Sequence, residues 1–146
     1  TEGIASVFDP LGIEYEITEA TLDQAEVITR MSDYLTANRD RIDAIIGLGD
    51  LVTGSIQRVF DQVGVAPGEI PVVGWGNSIE TAQEVLDGYV NAAMWQDPHA
   101  TSYIGLSMAS MAASGIPPGF DVFVGTLYEA DTAQIYLDIM QGGSGS

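Results

Sequence analysis

The chain has 146 residues with 46% apolar content, enough for one domain with a hydrophobic core and too apolar for disorder. Its 21 acidic residues face four Arg and no Lys, for a net charge of −17. That balance makes nucleic acid and anionic membranes poor partners, because both demand clustered cations. With no cysteine there is no disulfide framework, thiol nucleophile or zinc–thiolate cluster, and no apolar run approaches the roughly 20 residues that span a bilayer, so membrane insertion is not expected.

The first residues, Glu2–Phe8, read as part of a helix packed ahead of the first strand. Strands are expected at Ile13–Ile17, Ala44–Leu48, Pro71–Trp75, Val90–Trp95 and Val122–Leu127, where apolar residues alternate or run on. Helical spacing separates them. Leu22, Ala25, Ile28, Met31 and Leu35 share one face, with Thr21 as the expected N-cap. Val52, Ile56, Val59, Phe60 and Val63 repeat the pattern up to Gly64, and Ile79, Ala82, Val85 and Leu86 repeat it up to Gly88. Ile104, Met108, Met111 and Ala112 form a fourth stripe before Gly115, and Ala133, Ile135, Tyr136 and Ile139 form a short last one. The Gly142–Ser146 tail reads as a flexible linker or cloning remnant.

Strand–helix alternation at this spacing predicts an α/β domain over residues 1–141, an open, doubly wound parallel sheet covered on both faces. Such a sheet ordinarily opens with a strand that becomes central. This chain opens with a helix, so the expectation is a fold lacking its first, central strand. Thr1 carries neither an initiator Met nor a signal-peptide pattern, which fits a processed or excised segment.

Ligands in such sheets bind beyond the carboxyl ends of the strands, and three strand ends carry the candidate residues. Asp50, after Gly47-Leu-Gly49, can accept hydrogen bonds from hydroxyl groups or cap the helix that follows. Trp75 offers a flat apolar face to a ring or plugs the sheet edge. Asn77 offers a donor and an acceptor, to a ligand or to an Asx-turn. Gln96 is a neutral partner for hydroxyls, with Asp97 as N-cap and Pro98 in the first turn of the next helix. These residues suit a neutral polyhydroxylated molecule, with no cofactor and no metal.

Catalysis is not supported. Dinucleotide, Walker and nucleophile-elbow motifs are missing, and a receiver-type phosphoacceptor would need a Lys. His99 stands alone and reads as a helix-surface residue.

In order and spacing, these motifs resemble the carboxyl-terminal lobe of type I periplasmic sugar-binding proteins, the ribose- and galactose-binding-like receptors of ABC importers. Asp43–Asp50 followed by Gly54-Ser-Ile-Gln57, the strand Ile70–Trp75, the segment Glu84–Ala93 around Asp87-Gly88, and the Gln96-Asp-Pro98 turn carry the resemblance. It implies a two-lobed receptor in the periplasm or anchored outside the cell, closing on a sugar or polyol and delivering it to an ABC permease. Trp75, Gln96 and Asp50 match the family's aromatic, its Gln and the acid of its Asn-Asp pair. Gly49 replaces the Asn of that pair, and Gly76 replaces the Asp that follows the aromatic, so sugar identity does not transfer. The resemblance also implies a missing amino-terminal lobe or complementary fragment, and a sheet gap that favours self-association. Two alternatives share the fold: the effector-binding half of a lactose-repressor-like regulator, and an excised or engineered flavodoxin-like fragment without binding of its own.

Overall fold

The computed structural model describes residues 2–142, so the Gly/Ser tail lies almost wholly outside the described residues. In chain order the elements are α1 (Glu2–Leu11), α2 (Gln24–Asn38), a 3-10 turn (Arg39–Arg41), β1 (Ile45–Gly47), α3 (Asp50–Thr53), α4 (Ile56–Val63), β2 (Val72–Trp75), α5 (Ile79–Leu86), β3 (Ala92–Trp95), α6 (Pro98–Ala113), β4 (Thr126–Glu129) and α7 (Ala133–Met140).

The four strands form one sheet in the order β1-β2-β3-β4. The first three are parallel, each joined to the next by helical crossovers, and β4 returns antiparallel to β3 with Trp95 opposite Thr126. The architecture is the expected α/β sheet, with β1 at one edge and an antiparallel strand at the other.

Alternation along the strands assigns their two faces. Val72, Ala93 and Tyr128 point into a core built with Leu35, Ile56, Val59, Phe60, Ala82, Val85 and Leu137, so α2, α4, α5 and α7 cover that face. Gly47 and Gly74 are neighbours in register, and Thr53 of α3 rests on both of them. The opposite face is less covered than the doubly wound expectation requires. Ile46, Val73 and Leu127 remain 39%, 40% and 58% exposed, and α1 and α6 bury no residue.

Several expectations are corrected. Residues 13–17 are not a strand; they run as exposed coil, with the Glu16 carboxylate near enough to Tyr34 of α2 to raise its phenol. Their alternation is real, but no strand lies alongside to accept their backbone groups. The last strand begins at Thr126 rather than Val122, because pairing with β3 starts opposite Trp95. Asp23, not Thr21, caps α2 by accepting the Glu26 N–H, while Thr21 Oγ1 accepts the Asp23 N–H. The segment after β1 is two short helices, broken at Gly54-Ser55, and Gly64 ends the second in the left-handed region at φ 70°.

Candidate functional site

Parallel strands aim β1, β2 and β3 toward one end of the sheet, where three turns meet: Leu48–Gly49, Gly76–Ser78 and Gln96–Asp97. Because β4 is antiparallel, residues 120–125 enter the sheet at this same end. Trp75, Gln96 and Thr101 together with Val122, Phe123 and Val124 enclose an open pocket of about 130 Å³.

Two of the four sequence-derived site residues, Trp75 and Gln96, therefore line one pocket. Trp75 is half-buried, and Gln96 is exposed at the mouth of α6. Asp97 caps α6 by accepting the N–H groups of His99 and Ala100, which holds the Gln96 turn rigid. Pro98 is the first helical residue, and His99 lies exposed on the helix, as read from sequence.

Asp50 and Asn77 perform structural tasks that the sequence reading did not anticipate. Asp50 does not cap its own helix; it is the first residue of α3, and Gly49 holds the N-cap position. Its Oδ1 reaches across to the next loop and accepts from Asn77 N–H at 2.9 Å, Ser78 N–H at 3.1 Å, Ser78 Oγ at 3.0 Å and Thr81 Oγ1 at 2.9 Å. Oδ2 takes none of these four bonds. Asn77 makes no Asx-turn. Its amide nitrogen donates to the Gln96 carbonyl and its amide oxygen accepts the Gln96 N–H, both at 2.9 Å. One side chain thus locks two loops at a fixed distance.

Three further residues complete the site and went unread in the sequence. Ser78 is the N-cap of α5, accepting the Thr81 N–H, and both hydroxyls serve the Asp50 carboxylate. Tyr128 is fully buried and donates to the Gly76 carbonyl at 2.9 Å. Desolvation, with the Asp50 charge nearby, pushes its phenol well above the ordinary range, so it remains a donor. Among the described residues no group of three or more His, Cys, Asp or Glu side chains could hold a metal ion.

The model of a periplasmic binding protein domain matches residues 1–117. The chain belongs to the periplasmic binding protein domain family.

Solved structures share the domain's fold. A galactofuranose-binding protein aligns over 97% of this chain and 50% of its own, at 19% identity and TM-score 0.74. A periplasmic ribose ABC transporter protein from Conexibacter woesei aligns over 98% and 48%, at 21% identity and TM-score 0.70. A solute-binding protein of an ABC transporter from Agrobacterium vitis, bound to α-D-tagatopyranose, aligns over 90% and 44%, at 18% identity and TM-score 0.75. The chain thus spans about half the length of the structures it matches. No curated protein sequence matches it.

Proposed function

We propose that this domain forms one half of the binding cleft of an extracytoplasmic solute receptor, whose parent protein captures a sugar or polyol for an ABC importer. The observation that carries the reading is the shared pocket of Trp75 and Gln96 at the carboxyl ends of β2 and β3. An indole covers the apolar C–H face of a sugar ring, while a neutral amide both donates to and accepts from its hydroxyls. Asp50 Oδ2 supplies a further acceptor, and Asn77 acts from behind by fixing the Gln96 turn. Family membership and sugar ligands among the similar structures support the same class. The domain binds its solute without transforming it. Its partners are the solute, the other half of the cleft and an ABC permease. A half-cleft supplies part of the contacts, so affinity is low until the second half closes over the solute.

A thermal-shift screen against pentoses, hexoses and polyols tests the reading. The expected result is a saturable, stereochemically selective rise in Tm that disappears in Trp75→Ala and Gln96→Ala, both still folded. At a hundred-fold excess over Kd, stabilisation reaches about 2.7 kcal/mol, a shift of several degrees. A shift that both variants retain, or one equal for every compound, would overturn the assignment of the pocket.

A further inference from the structure

Beyond the β2–β3 ladder, which ends with Gly76 N–H donating to the Met94 carbonyl, the strand ends that carry Trp75 and Gln96 are tied together twice. The direct tie is the double hydrogen bond from Asn77 to the Gln96 backbone. A second tie runs through the core. Tyr128 holds the Gly76 carbonyl, its ring stacks on Tyr136 with centroids 4.6 Å apart and planes at 24°, and Tyr136 meets Trp95 at 5.7 Å. Trp95 adjoins Gln96, so Gly76, Tyr128, Tyr136, Trp95, Gln96 and Asn77 close a circuit. Two of its three aromatic rings, Tyr128 and Tyr136, come from β4 and α7, which contribute no residue to the strand-end turns themselves.

We propose that Tyr128 is a positioning residue of the solute site, setting the spacing between Trp75 and Gln96 through its hydroxyl on Gly76 and its stack on Tyr136. Gly76 is fitted to this role. A Cβ at that position would overlap the Tyr128 hydroxyl and stand 2.5 Å from the Ala93 Cβ and 3.0 Å from the Thr81 Cγ2. The absence of a side chain after Trp75 therefore has a cause inside the chain, since Tyr128, 52 residues away, fills that space from the core. A buried carbonyl that loses its donor loosens by about one hydrogen bond, and the turn that carries Trp75 loosens with it. The inference rests on the solute-binding reading of Trp75 and Gln96, but its test needs no solute.

Amide hydrogen exchange on Tyr128→Phe reads the circuit directly. The amides of Gly76, Asn77 and Gln96 should exchange faster by roughly tenfold, the weight of one hydrogen bond. Those of Val72, Val73 and α4 should hold within a factor of about two, since their bonds lie outside the circuit. In a Trp95→Phe background, which keeps an aromatic ring against Tyr136 and serves as the reference, the fluorescence reports Trp75 alone, and adding Tyr128→Phe should make that indole more accessible to acrylamide. Tyr136→Leu, which keeps the Tyr128 hydroxyl and breaks the stack, should act more strongly at Gln96 than at Gly76, and it tests the circuit independently should Tyr128→Phe fail to fold. Faster exchange spread evenly over the sheet, or no change at the three amides with unchanged quenching, would overturn the proposal and leave Tyr128 a core residue. Failure of every sugar to bind would overturn the solute reading and leave the exchange result standing.

Discussion

Glu84 of α5 is 4% exposed, at the floor of a surface cleft against α4, and its Oε2 has no hydrogen-bond partner. Burial pushes its carboxyl from the ordinary 4.5 up to about 7, against the pull of the Gln57 and Ile56 N–H groups and of Arg58, and with a small push from Glu80. The unfolded chain releases this proton near 4.5 and the folded chain near 7, so in that window the folded state holds more protons. Stability therefore falls as pH rises through the window and levels off above it. Glu84→Gln keeps the shape without the charge. Above pH 7 it should raise the unfolding free energy by an amount on the order of 3 kcal/mol, read as a higher urea midpoint, and the advantage should vanish in acid below the window. Parallel pH profiles for the two proteins would show that Glu84 ionises without cost. At this scale the sequence was legible where a role depends on near neighbours: Asp97 as a cap, Pro98 at the first turn, Trp75 and Gln96 at strand ends. Asp50, Asn77, Tyr128 and Glu84 act across 19 to 52 residues of chain, and no local pattern announces such partners.

The β1–β2 pair is the element on which the site's geometry depends, and its two facing glycines explain why. A Cβ at Gly74 would overlap Thr53 Oγ1 and stand 2.8 Å from the Gly47 carbonyl. The missing side chains allow α3 to sit directly on the strands, which brings Asp50 within reach of the Ser78 turn. Gly74→Ala should cost about 1–3 kcal/mol by overpacking, read as a lowered urea midpoint. Thr53→Ala in the same chain should recover part of that loss, because the overlapping hydroxyl is gone; strict additivity of the two changes would deny the contact. The same element shows what periodicity conveys and what it omits. Ile45–Gly47, Val72–Trp75 and Ala92–Trp95 were legible because their apolar residues mark a buried face. Residues 13–17 carry an equally clear alternation, yet Ile13, Tyr15 and Ile17 are 44%, 41% and 53% exposed. Alternation states which face a strand would bury, whereas pairing needs a neighbour. Likewise Val122–Leu127 reads as one apolar run, and only the register with β3 shifts the paired stretch to Thr126–Glu129.

Across the whole molecule, charge sets the conditions under which these contacts hold. Against a net charge of −17, the described residues contain two ion pairs, Arg30–Glu26 and Arg39–Glu69, both exposed and of small weight. Acid–acid repulsion is therefore the dominant electrostatic term, and salt relieves it. Thermal unfolding should shift clearly upward between dilute buffer and molar salt, and a flat response would mean that the acids are already well separated by solvent. The reversed direction of β4 has a different consequence, for the character of the pocket's walls. Three strands leave toward this end of the sheet and each turns into a helix, and from β2, the turn after β3 and α6 the pocket receives Trp75, Gln96 and Thr101. The fourth side is a chain arriving, and it presents Val122, Phe123 and Val124 instead. A guest held there on the proposed reading would meet side-chain hydrogen-bond partners at Gln96 and Thr101 and oil-like walls from Trp75 and the arriving chain, and so would be told which way round to lie.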